Sequence, residues 1–131
     1  MNTLTYNGAV LDLPDDLAWA DEFAWTPVVQ RTAPSITGAL IVDIGVRTAG
    51  RPIELSGDRD RAWMPRGTAE QLQAWSAVAG AQMTLMLRGS TRTVIWDHER
   101  GAFSAQPVGL EDYSDPLPSD RVIPRLRFIE V

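Results

Sequence analysis

Apolar and polar residues alternate along most of this chain, and at one place the alternation gives way to a helical spacing. Thr3-Leu4-Thr5-Tyr6 alternates, Asn7-Gly8 is the pair that a two-residue hairpin turn favours, and Ala9-Val10-Leu11-Asp12-Leu13 reads as the returning strand. Leu13-Pro14-Asp15-Asp16 breaks that pairing. Residues 17–25 interleave acids with Trp19, Phe23 and Trp25, which predicts an irregular crossing or one short helical turn. Segments 26–32 and 36–46 are strand-like and joined by a turn at Ala33-Pro34-Ser35. In the second of them Ile36, Leu40, Val42 and Ile44 share a face that Gly38 interrupts. A turn at Thr48-Ala49-Gly50 leads into a further strand over 51–55.

The spacing then changes. Thr68-Ala69-Glu70-Gln71 has the form of a capping box, Leu72, Trp75 and Ala79 fall at i, i+3 and i+7, and Gly80 supplies a stop, so a helix is predicted over about 69–79. Such a stripe needs a flat apolar partner, and a sheet supplies one. Residues 82–87 and 91–96 read as a hairpin closed by Arg88-Gly89-Ser90, with Met83, Leu85 and Leu87 on one face. A polar turn over 97–102 leads into a strand over 103–108, and the Pro-, Asp- and Ser-rich stretch 109–120 reads as a long loop. The closing strand, 121–131, carries Pro124, which predicts an edge position or a bulge. The expected fold is therefore mainly β: a small split β-barrel or sandwich of about seven or eight strands with one α-helix across it. A single domain over 1–131 is expected, with arms or loops at about 9–25 and 109–120.

Composition removes several functions. There is no cysteine, so disulfides, thiolate nucleophiles and thiolate metal sites are excluded. No apolar run approaches the roughly 20 residues that span a bilayer, and residues 1–10 lack the basic start and apolar core of a signal peptide. No membrane role is expected. All 12 basic residues are arginine, and none precedes Arg31. Asp12, Asp15, Asp16, Asp21 and Glu22 all do, which accounts for the net charge of −5 and leaves the rest of the chain balanced. Without a basic cluster, a nucleic-acid partner is not expected.

Reaction chemistry is sparse. His98 is the only imidazole, and Asp97-His98-Glu99, between two strands, reads as a solvated turn. No nucleophile elbow, phosphate loop or dinucleotide fingerprint occurs. Asp15, Asp16, Asp21 and Glu22 offer hard oxygens to a cation, yet their spacing matches no calcium loop. No catalytic residue, metal or cofactor is therefore expected. Of the five tryptophans, Trp75 belongs under the helix, and Trp96 ends a strand as part core, part rim. Trp19, Trp25 and Trp63 lie in irregular segments, where an aromatic with a polar N–H serves as interface anchor or as local core. Stacked aromatics also bind sugars, so a carbohydrate-binding module using these tryptophans is an alternative.

The order Trp25-Thr26-Pro27-Val28-Val29-Gln30, Thr37-Gly38-Ala39-Leu40-Ile41-Val42, Gly50-Arg51-Pro52-Ile53-Glu54-Leu55-Ser56-Gly57, then the helix, Leu85-Met86-Leu87-Arg88-Gly89 and Leu126-Arg127-Phe128-Ile129-Glu130-Val131 resembles small tail proteins of long-tailed bacteriophages and prophages. The arrangement is similar to that of the distal tail or tail-tip class. That resemblance implies a split β-barrel with one helix and a non-enzymatic virion protein, made in the host cytoplasm. It would assemble as a ring of its own copies, a hexamer, against the tail tube and tail-tip or hub proteins. A tube or tube-completion protein fits the same resemblance. The expected interface residues are Asp15, Asp16, Trp19, Asp21, Glu22, Phe23, Trp25 and Trp63, with Tyr113 in the long loop.

Overall fold

The computed structural model describes residues 2–108 and 116–131. In chain order the elements are β1 (Asn2–Tyr6), β2 (Ala9–Leu13), β3 (Ala18–Trp19), β4 (Val28–Pro34), β5 (Leu40–Val46) and β6 (Pro52–Ser56). There follow β7 (Met64–Pro65), α1 (Arg66–Ser76), β8 (Gln82–Leu87), β9 (Ser90–Trp96), β10 (Phe103–Pro107) and β11 (Arg121–Glu130). The fold is mainly β with one helix. The main sheet runs β2-β1-β8-β9-β11-β6-β3, with β10 and β7 also on β11, and it does not close into a barrel. A second sheet consists of β4 and β5 alone.

Local turn chemistry sets the two hairpins of the main sheet. Asn7 and Gly8 both take positive φ, 50° and 81°, and join β1 to β2 in the register Tyr6↔Ala9. Arg88 and Gly89 do the same between β8 and β9, at 50° and 83°, so the turn is two residues long and Ser90 already pairs with Leu87. Primed turns of this kind match the right-handed twist of the strands they join. Alternation then decides which side is buried: Met83, Leu85 and Leu87 of β8 are buried and the residues between them are exposed. Leu4, Ile53, Leu55, Val94, Leu126 and Phe128 join them in one core, where the Trp96 and Phe128 rings stack with centroids 4.7 Å apart. Trp96 is thus wholly core, not part rim.

β11 corrects the edge position drawn from Pro124. The strand is central, with β9 and β10 along one side and β6 and β7 along the other. Pro124 falls between the end of the β7 pairing at Val122 and the start of the β6 pairing at Arg125, where the ladder along that side of β11 changes partner. Its carbonyl is used, accepting from the Gly57 N–H at 2.8 Å. Space there is tight. A Cβ on Gly57 would meet the Ala62 carbonyl oxygen at 2.8 Å and Pro124 Cδ at 2.9 Å.

The helix also differs from its expected form. It starts at Arg66 rather than 69, has Pro65 at the cap with no side-chain bond, and ends at Ser76, leaving Ala79 exposed beyond it. Thr68 sits inside the first turn and caps nothing. The first amides are satisfied from far along the chain: Arg66 N–H donates to the Asp120 carbonyl at 2.7 Å and Gly67 N–H to the Pro118 carbonyl at 3.0 Å. Backbone carbonyls distant in sequence thus do what a capping side chain does elsewhere. Ala69, Leu72 and Trp75 form the buried stripe, and Trp75 meets the Tyr6 ring at 5.6 Å.

Candidate functional site at the base of a hairpin arm

Among the described residues β4 and β5 form an arm that shares no ladder with the main sheet, and it is exposed along its whole length. Its strands are shifted from the expected spans, because the turn lies at 35–39 and not at Ala33-Pro34-Ser35. Ser35 builds that turn, donating its N–H to the Ala39 carbonyl at 2.7 Å and accepting from the Ala39 N–H through Oγ at 2.9 Å. Gly38 supplies a φ of 86°. Ile36 therefore leaves the strand for the exposed tip.

Register gives the arm two unlike faces. Val28, Gln30, Thr32 and Pro34 lie opposite Val46, Ile44, Val42 and Leu40, and residues directly opposite share a face. That face is largely aliphatic, yet Leu40, Ile44 and Val46 expose 68, 67 and 70% of their surface. The other face carries Arg31 opposite Asp43. An isolated two-stranded hairpin is marginal in water, so an uncovered aliphatic face of this size calls for cover.

Where the arm joins the body, tryptophans and arginines interleave. Arg47 donates through Nη2 to the Thr26 carbonyl at 2.8 Å and lies 5.1 Å from the Trp25 ring centre. Arg51 sits 4.8 Å from the Trp19 ring and 5.8 Å from that of Trp25, with Nη2 donating to the Glu22 carbonyl at 2.9 Å. Arg92 and Arg88 approach Trp19 at 5.3 and 5.9 Å. Two carboxylates neutralise part of this charge: Glu22 accepts from Arg88 at 2.7 Å and Glu130 from Arg92 at 3.2 Å. Among the described residues no carboxylate pairs with Arg47 or Arg51. The cluster also carries more donors than acceptors, since Trp19 Nε1, Trp25 Nε1, Arg51 Nε and Arg92 Nε are buried without a hydrogen-bond partner. Each such group costs about 1 to 3 kcal/mol. Beside it lies a pocket of about 230 Å³ lined by Trp25, Thr48, Ala49, Arg51, Arg92, Glu130 and Val131.

The expected interface residues divide. Residues 9–25 do not form a free arm: β2 and β3 belong to the main sheet, and Leu13 and Leu17 are buried. Asp16 Oδ2 accepts from the Ala62 N–H at 3.1 Å, Asp21 Oδ1 from the Glu54 N–H at 2.9 Å, and Asp15 Oδ1 from the Asn2 N–H at 3.3 Å. Asp21 and Glu22, both expected at an interface, are thus engaged within the chain. Phe23 is 93% exposed. Trp63 is 41% exposed, its N–H held by the carbonyls of Asp58 and Arg59. Tyr113 lies outside the described residues.

The turn at 97–101 is only partly solvated. His98 and Glu99 are exposed, but Asp97 is buried and accepts from Arg100 Nε at 2.7 Å, which raises the Arg100 pKa. No group of three or more metal-ligating side chains occurs among the described residues. Sequence reasoning missed the arginine half of the cluster, although Arg47, Arg51 and Arg88 fall just beyond strand ends and Arg92 lies near the start of β9.

These features define a mainly-β domain with one helix and a projecting aliphatic arm rooted in an arginine–tryptophan cluster. No protein-family model matches the chain, and no curated protein is similar to it in sequence.

Proposed function

We propose that this chain is a virion structural protein of a phage tail, assembling through its arm into a homo-oligomeric ring at or near the distal end of the tail tube. The observation that carries the reading is the aliphatic face of β4 and β5, exposed along an arm that no other strand covers among the described residues. An arm on one surface and an acceptor on another make a heterologous contact, and heterologous contacts close into rings when the rotation allows. The order of elements resembling distal tail proteins supplies the setting: a split barrel as the ring body, a hexamer as its order, and tube and hub proteins as neighbours. A tube or tube-completion role uses the same arm. The reading is non-enzymatic.

Sedimentation velocity over a range of concentrations, with electron microscopy of the associated fraction, tests it. The parent chain should associate into closed symmetric layers. Val42→Asp with Ile44→Asp should weaken association on the order of a hundredfold while circular dichroism is unchanged. A parent chain that stays monomeric at every concentration and in the presence of tube protein overturns the proposal. One observation favours a second reading: Trp63 stands exposed beside a cleft of about 490 Å³ lined also by Asp16, Asp60, Arg61 and Arg121, as a sugar subsite would require. A glycan screen read out against Trp63→Ala separates it from the ring.

A further inference from the structure

We infer that the pocket at the base of the arm is a carboxylate-binding site, with Arg51 and Arg92 as the charged donors and Trp25 as the apolar wall. Three independent features meet there. The first is charge: Arg47, Arg51, Arg88 and Arg92 surround Trp19 and Trp25, Glu22 and Glu130 pair with Arg88 and Arg92, and among the described residues no side-chain carboxylate pairs with Arg47 or Arg51. The second is hydrogen bonding. Arg51 spends one Nη on the Glu22 carbonyl and Arg92 one on Glu130, and neither Nε has an acceptor, so both guanidinium forks keep free donor capacity among the described residues. The third is shape, since the pocket of about 230 Å³ mixes those arginines with Trp25, Ala49 and Val131.

A planar carboxylate matches a guanidinium fork, and a short aliphatic stem behind it would lie on Trp25. Glu130 in the wall disfavours a doubly charged phosphate, which would meet a like charge at close range. The carboxylate can come from an acidic side chain of a second copy or from a free small acid, and the chemistry is the same. The pocket does not require that the arm find a partner.

The test is a titration of the full chain with sodium propionate, the side-chain equivalent of glutamate, followed through the indole N–H resonances of the five tryptophans. Trp19 and Trp25 should shift and saturate on the order of tens of millimolar, while Trp63, Trp75 and Trp96 stay in place. Propionamide and sodium chloride at equal ionic strength should not reproduce the shift. Arg51→Gln should weaken binding about tenfold, with the Trp75 and Trp96 resonances as the control that the core is intact. If that variant unfolds, Arg92→Gln carries the same test. Shifts that saturate without propionate as protein concentration rises, and that propionate reverses, identify a second copy as the source; propionate shifts independent of protein concentration identify a free acid. Movement of all five indoles alike, a chloride response equal to that of propionate, no response up to about 100 mM, or unweakened binding in a folded arginine variant overturns the site.

Discussion

At the scale of single residues, the sharpest constraint is a missing side chain. Gly57 has no positive φ to explain it, yet its carbonyl-lined, proline-lined surroundings leave no room for a methyl group. The atom in the way, the Ala62 carbonyl oxygen, is backbone and cannot swing aside. Gly57→Ala should therefore lower stability by about 1 to 3 kcal/mol, read as a fall in the urea midpoint with unchanged slope. Nothing in the local sequence announces this, because Ala62 and Pro124 reach the site from separate strands and loops. Asn7-Gly8, by contrast, acts through its own backbone and could be read directly. Trp75 was legible for a similar reason: its helical offset from Leu72 already places both on one stripe.

Among the elements, the helix separates what periodicity tells from what it omits. The buried stripe was readable, while the start was misplaced because Thr68 has the composition of a cap without the position of one. The donors of Arg66 and Gly67 are met by carbonyls of Asp120 and Pro118, in a turn that Asp120 holds by accepting the Leu117 N–H through Oδ2 at 2.9 Å. Asp120→Ala should loosen that turn, costing about 1 kcal/mol and speeding hydrogen exchange at the Arg66 and Gly67 amides. Thr68→Ala should change stability by less than about 0.5 kcal/mol. The reverse ranking of the two variants would show that the helix is capped from its own sequence after all. The arm is the opposite case: its strands were readable, and their lack of cover was not.

For the whole molecule, the arm and the body make separable contributions. The core cluster draws nothing from β4 or β5. Replacing 28–46 by a short Gly-Ser turn should therefore leave the near-ultraviolet signal and the melting temperature of the body close to those of the parent, while abolishing association. A body that unfolds without the arm would mean that the arm's aliphatic face is part of the fold. Salt distinguishes the two surfaces further. Association through the aliphatic face should persist at about 1 M salt, where the screening length is near 3 Å, whereas carboxylate binding at the half-buried Arg51 and Arg92 should weaken.

What the chain determines by itself is local: the alternation of β8, the turn residues of the two hairpins, the apolar stripe of the helix, and a mainly-β fold with one helix. Each of these depends on neighbours within a few positions, where backbone sterics and side-chain period act directly. What only the tertiary structure decided is how those elements are answered from a distance. It placed Pro124 on a central strand between two partners, began the helix under carbonyls about fifty residues away, and brought Arg51, Arg88 and Arg92 onto Trp19. It also left one aliphatic face of β4 and β5 without cover among the described residues. Alternation states that a strand has an apolar side, and only the packing of the rest of the chain states whether anything comes to lie against it.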